Sequence, residues 1–150
     1  MTGETVAARR DLLARVLDTL VPPVDGFPGG AAAALDHILS RAADSAELAQ
    51  LLADGLGAVE EASRTRAAGG LEALGPDDRE CVLRCVERSH PEFFVVLVRH
   101  AYDGYYSHPT VLARLGLDPS PPHPRGHKVE PVDPPDLARV RARGPLYRRA

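Results

Sequence analysis

The first seventy residues repeat apolar side chains with the period of an α-helix. In the first segment the apolar positions recur at i, i+3, i+4 and i+7: Leu13, Val16, Leu17 and Leu20. This spacing predicts an amphipathic helix over residues 5–20, ended by Pro22-Pro23 because proline cannot continue a helix. An alanine-rich run over residues 31–43 predicts a second helix. A leucine-rich run over residues 45–66, whose amino end either Asp44 or Ser45 can cap, predicts a third.

Two further helices are predicted to begin at prolines, which suit the first helical turn. Pro76 opens the fourth helix, whose inward face is predicted to hold Cys81, Val82, Cys85 and Val86. Pro91 opens the fifth helix, and Ser89 is predicted to cap it. The main apolar face of the fifth helix is predicted to consist of Phe94, Leu97, Val98, Ala101 and Tyr105. Phe93, Val95 and Val96 add apolar surface on other faces, as expected for a central helix.

The character of the chain changes after residue 115. Residues 116–150 hold eight of the fourteen prolines, and such a segment has too few backbone donors and apolar groups to order itself. A short helical turn from Pro109 to Leu115 precedes this change, and a brief helix over Asp136–Arg143 is predicted within it. We therefore predict an all-α fold, an irregular bundle of about five helices in residues 1–115. An extended, proline-rich C-terminal arm in residues 116–150 is predicted to follow.

The formal charge of −3 is unevenly distributed. Residues 1–115 carry 11 basic and 17 acidic side chains, giving −6, whereas residues 116–150 carry 7 and 4, giving +3. An acidic body argues against nucleic acid as the main ligand, because phosphate binding needs a dense basic surface. The basic arm suits an acidic protein surface at least as well as it suits nucleic acid. No apolar run approaches the length of a membrane-spanning helix, so no direct membrane insertion is expected.

Histidine and cysteine are the candidate chemical groups. His90, His100 and His108 lie on or near the fifth helix with Asp103, but they are ten and eight residues apart. A pair of ligands on one helix face needs a spacing of about four residues, so metal binding and acid-base catalysis are both disfavoured. The Cys81-Cys85 pair is interpreted as two small, half-buried apolar side chains rather than as a redox or metal site.

The remaining motifs point away from chemistry. The glycine-rich loop of residues 25–30 precedes a helix, but it lacks a Walker lysine and a preceding strand, so a helix–helix turn is the favoured interpretation. The chain contains no nucleophile elbow, no C-x-x-C pair and no dinucleotide fingerprint. We therefore expect no catalytic residue, no cofactor and no metal site in this chain.

Aromatic residues and the arm indicate a binding role instead. Three tyrosines lie together just before the arm, where core packing and use at an interface are equally compatible with the sequence. An arm of this length could reach roughly 100 Å at ~3 Å per residue, and its prolines reduce the entropy lost on docking. A disordered, solvated tail is the alternative interpretation of this segment. The residues predicted to contact a partner are Tyr102, Tyr105, Tyr106, His108, Pro121, Pro122, His123, Pro124, Arg125 and Gly126.

Four stretches of the sequence carry a family resemblance. They are DTLVPPVDGFPG at residues 18–29, the helix start at His90, the segment Tyr105–Pro109, and the Pro/Gly-rich segment Pro121–Pro131. Together they resemble the gluconate 2-dehydrogenase subunit 3 family, the small subunits of membrane-associated or secreted sugar dehydrogenases. The glycine- and asparagine-containing stretch that is usual after the aromatic segment is replaced here by residues 111–115. We expect loop contacts to a partner to differ accordingly.

The resemblance implies a helical small subunit that binds a larger flavoprotein of the glucose-methanol-choline oxidoreductase type. The larger chain would hold FAD and oxidise an alcohol or sugar hydroxyl, and the small subunit would assist its folding, stability and, often, export. Family members commonly carry a twin-arginine leader, whereas Arg9-Arg10 in this chain precede a charged amphipathic pattern. We therefore expect a cytoplasmic complex, or a leader supplied by the large subunit.

Two alternatives from other classes stay open at this point. One is a small helical enzyme that uses His90, His100 or His108. The other is a stand-alone helical bundle that binds a small ligand.

Overall fold

The structure is a computed structural model that describes residues 6–118 and 138–144. Residues 6–8 form a helical turn before the first long helix. Within the described residues the helices are α1 (Arg10–Leu20), α2 (Gly30–Asp44), α3 (Ala46–Arg64), a 3-10 helix (Gly70–Ala73), α4 (Pro76–Ser89), α5 (Pro91–Ser107), α6 (Pro109–Arg114) and α7 (Ala138–Ala142). The predicted all-α class is confirmed.

The chain divides into two compact units, Met1–Pro119 and Ser120–Ala150. The first unit contains α1 to α6, and the second contains α7, which confirms the middle of the helix predicted over Asp136–Arg143. The domain boundary placed at residue 115 stays a prediction. The proline-rich part of the predicted arm, residues 119–137, lies outside the described residues.

One apolar core joins α1 to α5. Its largest fully buried side chains include Leu13, Leu17, Ile38, Leu52, Leu56, Val82, Phe93 and Leu97. Each such side chain contributes about 1.5–3 kcal/mol relative to its exposed state, so this cluster is the main source of stability. A smaller cluster of Ala33, Tyr105 and Val111 joins α2, α5 and α6.

A tight turn and a side-chain cap connect α1 to α2. Asp25 and Gly26 have φ angles of 47° and 80°, and Phe27 N–H donates to the carbonyl oxygen of Val24 at 2.8 Å. Two consecutive positive φ angles are the geometry that an Asp-Gly pair favours. Asp18 in α1 accepts a hydrogen bond from Ala31 N–H at 2.9 Å, which satisfies an orphan donor at the amino end of α2. The glycine-rich loop is therefore a helix–helix turn, as predicted.

One of the two predicted serine caps is present in the structure and the other is not. Of the two candidates predicted for α3, Ser45 is the N-cap, and its hydroxyl oxygen accepts from Leu48 N–H at 3.2 Å. Ser89 does not cap α5: it is the last residue of α4, and its hydroxyl donates to the Val86 carbonyl oxygen at 3.3 Å. His90 occupies the N-cap position of α5 instead. The two helices follow each other so closely that Ser89 still belongs to the first.

The interpretation of the cysteines as half-buried core residues is wrong, because Cys81 and Cys85 are both exposed. The buried side chains of α4 are Val82, Leu83 and Val86. This inward set is centred about one residue further along the helix than the predicted set, which rotates both thiols out of the core. An Arg66 guanidinium nitrogen lies 3.0 Å from the Cys81 sulfur.

The predicted inward face of α5 is also partly wrong. Phe93 is buried whereas Phe94 is half-buried. The reason lies in α3, where a Cβ atom at Gly55 would overlap the Phe93 ring. The missing side chain of that glycine creates the space that the ring fills, and this fixes the rotation of α5.

Candidate partner interface

The helix α5 has two apolar faces that meet different surroundings. Its inner face presents Phe93, Leu97, Ala101 and Tyr105, which are buried. These residues follow one another at intervals of four, so they lie along one side of the helix. The inner face packs into the protein, and its apolar character is explained by the core.

The outer face is apolar without being covered by the described residues. It consists of Val95, Val98, Tyr102 and Tyr106, at spacings of three, four and four, and we call these four residues the outer stripe. Val95 is 69% exposed, Tyr102 is 53% exposed and Tyr106 is 56% exposed, while Val98 is half-buried. At 1.5 Å per residue the stripe is about 17 Å long. The helix α5 packs on α2, α3, α4 and α6, as expected for a central helix, but the described residues leave its outer stripe open.

An open groove runs beside the outer stripe. It has a volume of about 710 Å³ and is lined by Leu20, Glu87, Phe94, Val95, Val98, Arg99, Tyr102 and Asp103. Five of these residues are apolar or aromatic, and the three charged members supply groups of both signs. An apolar centre with charged residues beside it is typical of protein–protein interfaces.

The three tyrosines predicted to contact a partner divide into two groups. The rings of Tyr102 and Tyr106 lie edge to face, with centroids 6.0 Å apart, and both are exposed. Tyr105 is 9% exposed and packs in the small cluster with Ala33 and Val111. Core packing therefore describes Tyr105, while Tyr102 and Tyr106 stay predicted partner contacts.

The other predicted contact residues are differently placed. His108 is half-buried at the amino end of α6, and its Nδ1 atom is buried without a hydrogen-bond partner among the described residues. Its contact with a partner stays a prediction. Pro121, Pro122, His123, Pro124, Arg125 and Gly126 lie outside the described residues.

The structure does not bring His90, His100 and His108 together. It places His100 next to His37 instead. His90 is exposed and lies 2.9 Å from the Ser89 hydroxyl through its Nδ1 atom. His100 instead faces His37 of α2, with ring centroids 6.2 Å apart. His37, His100 and Asp103 each bring one potential ligand atom within 4.8 Å of the others. Sequence reasoning missed His37 because only the packing of α2 on α5 brings it there.

The surroundings of His100 shift its protonation. Burial, which disfavours the charged form, lowers the pKa of His100 below its usual 6.5. The nearby Asp103 carboxylate opposes this lowering of the His100 pKa, and electrostatic interactions with His37, Arg99 and Arg41 add to it. Neutral imidazole is therefore the favoured form of His100 near neutral pH.

An all-α domain that leaves an apolar stripe of one helix open is typical of subunits that complete their packing against another chain. The sequence model of the Gluconate 2-dehydrogenase subunit 3 family matches residues 7–118. The chain belongs to this family, which makes it a relative of the accessory subunits of dehydrogenase complexes. No curated protein and no solved structure shows significant similarity to the chain. Among the described residues, every helix falls short of the length and apolarity required to cross a membrane.

Proposed function

We propose that this chain is the non-catalytic small subunit of an FAD-dependent oxidoreductase of the glucose-methanol-choline type, and that it docks through the outer stripe of α5. The larger flavoprotein chain would hold the FAD and oxidise an alcohol or sugar hydroxyl. The observation that carries the docking mode is the outer stripe, in which Val95, Tyr102 and Tyr106 are exposed and Val98 is half-buried, in a chain of this family.

The composition of the stripe suits the centre of an interface. Tyrosine is enriched at such centres because its large ring is rigid and its hydroxyl can still meet water or a polar partner. Valine has little side-chain entropy to lose when it is covered. Covering the stripe would remove apolar surface from water at about 25 cal/mol per Å².

The stripe alone is too small for a complete interface. A strip about 17 Å long on a helix about 10 Å wide offers a few hundred Å² at most, whereas a stable complex buries about 800 Å² on each partner. Further contacts must come from other surfaces. We propose that the basic segment of residues 116–150, with its charge of +3, supplies part of them by lying along an acidic surface of the flavoprotein.

We propose a cytoplasmic site of assembly. In support, Arg9 and Arg10 take part in the fold. Arg9 donates to the carbonyl oxygen of Ala53 at 2.7 Å, and Arg10 pairs with Asp36 at 2.9 Å. Leu13 and Leu17, which follow the two arginines in α1, are core residues. These contacts place the arginine pair within the folded helical body, which supports the proposed site of assembly.

Co-expression with a flavoprotein dehydrogenase encoded beside this chain tests the proposal. We expect the two chains to elute together in size exclusion, and we expect the flavoprotein to retain more FAD and more activity than when it is expressed alone. A chain ending at residue 118 loses α7 but should keep the helices α1 to α6, and it should associate more weakly. The small subunit purified alone should show no oxidation of the complex's substrate. Separate elution with unchanged flavin content and activity would reject the proposal.

A further inference from the structure

Two helices bring a set of metal-binding side chains together at one point on the surface. His37 comes from α2, and His100 and Asp103 come from adjacent turns of α5. The three potential ligand atoms lie within 4.8 Å of one another. Ligand atoms around a tetrahedral zinc ion, at about 2.0–2.2 Å from the metal, are ~3.4 Å apart. Small side-chain movements would therefore bring the three groups to coordinating distance.

The backbone packing holds the two helices close enough for this arrangement. A Cβ atom at Gly104 would lie 2.9 Å from the Cα atom of Ala34 and 3.1 Å from the Cβ atom of His37. Any larger residue at position 104 would thus push α5 away from α2. The glycine lies one turn after His100, so the close approach occurs where the histidines meet.

Each histidine also has a polar atom that lacks a partner. The Nε2 atom of His37 and the Nδ1 atom of His100 are buried, and neither has a hydrogen-bond partner within the described part of the chain. Buried polar atoms are normally satisfied, because an unpaired one costs about 1–3 kcal/mol. Two such nitrogens on facing rings, beside a carboxylate, are what a bound cation would satisfy.

The donor set selects the kind of cation. Two imidazole nitrogens and one carboxylate oxygen suit zinc and its neighbours in the first transition series, whereas magnesium and calcium prefer ligands that are all oxygen. Asp103 is exposed, so the outer side of the cluster opens to solvent and leaves room for water as a fourth ligand.

We propose that His37, His100 and Asp103 form a binding site for a divalent transition-metal ion, with zinc as the representative ion. The site is independent of the docking proposal, although Asp103 also lines the groove beside the outer stripe. Its most direct structural effect is to link α2 to α5 through the metal.

The test is calorimetric titration of the purified full-length chain, without an affinity tag and after chelator treatment, with zinc chloride. The exposed Cys81 and Cys85 thiols are a competing zinc ligand pair one helical turn apart, so all proteins in the test carry Cys81→Ser and Cys85→Ser. We expect one zinc ion per chain and a rise in the melting temperature with zinc, since a ligand that binds only the folded state stabilises it. Magnesium should produce neither effect.

Three variants test whether His37, His100 and Asp103 are the zinc ligands. His37→Gln and His100→Gln should abolish zinc binding, and Asp103→Asn should weaken it by about 10-fold or more. His90→Gln, a histidine exposed at the start of the same helix, is the matched control and should bind zinc as its parent does. Because Asp103 is exposed, its variant should fold even if a histidine variant does not. The proposal would be overturned if the parent protein without cysteines does not bind zinc, or if Asp103→Asn binds zinc as tightly as the parent.

Discussion

The inner and outer faces of α5 differ little in apolar character and greatly in what covers them. Phe93, Leu97 and Ala101 on the inner face are buried by the other helices, whereas Val95 and Tyr102 on the outer face are largely exposed. Burial of the inner face stabilises the fold of this chain by itself. Within residues 6–118 the apolar outer face gains nothing comparable, which supports the proposal that a partner covers it.

The largest predicted difference is in the free energy of unfolding when each of two adjacent phenylalanines of α5 is truncated. Phe93→Ala removes a fully buried ring and should reduce the free energy of unfolding by about 3–5 kcal/mol. Phe94→Ala, the matched control, removes a half-buried ring and should cost about 1 kcal/mol. Urea unfolding of both variants measures the difference. Equal losses would contradict the assigned rotation of α5.

Adding a methyl group at two helical glycines should give effects of opposite sign. Gly104→Ala places a Cβ atom 2.9 Å from the Ala34 Cα atom, and this overpacking should cost about 1–3 kcal/mol. Gly57→Ala in α3 meets only the Arg9 side chain, at 3.9 Å, and should stabilise the protein by about 0.5–1 kcal/mol through helix propensity. Thermal unfolding checks both signs. Stabilisation by Gly104→Ala would show that α2 and α5 can separate freely.

Acidification should produce the smallest effect, at the junction of α2 and α5. The lowered pKa of His100 means that the unfolded chain binds the proton more tightly. Above pH 6.5, the pKa of an unperturbed histidine, the protonation of His100 costs the folded state no stability. As the pH falls from 6.5 towards the lowered pKa, the free energy of unfolding decreases. His100→Gln should show a shallower loss of stability across this range, with chelator present throughout. A slope identical to that of the unaltered protein would exclude His100 as the cause.

The helices were predictable because apolar spacing and proline placement are local signals. The bounds of α2 and α3 lie close to those predicted, α4 and α5 begin at the predicted prolines, and α1 ends at Leu20 as predicted but begins at Arg10. The rotation of each helix was less secure. Cys81 or Leu83 can complete the inward face of α4 equally well by spacing alone, and Phe93 competes with Phe94 in α5. Gly55, on another helix, decides the second case by leaving room for the Phe93 ring. Contacts between distant segments therefore settle what local periodicity leaves open.

The candidate sites likewise depend on contacts between distant segments that local sequence patterns do not reveal. Exposure of Tyr102 and Tyr106 and burial of Tyr105 depend on which side of α5 meets Ala33 and Val111, which no local pattern reveals. His37 lies 63 positions before His100 in the sequence, and it joins the cluster only because α2 packs on α5. The family resemblance, by contrast, was readable directly, because it rests on short segments of sequence that need no tertiary contact.

The affinity of the flavoprotein subunit for outer-stripe variants tests the central claim most directly. The double variant Val95→Glu with Tyr102→Glu places charge on the outer stripe, and Val24→Glu is the matched control because Val24 is 57% exposed outside the stripe. Circular dichroism should first confirm that both variants are folded. We predict that the double variant binds about 100-fold more weakly than the unaltered chain, as expected when two central interface residues are lost, while the control changes by less than about 3-fold. Unchanged affinity in the double variant would contradict the assignment of the outer stripe as the docking surface.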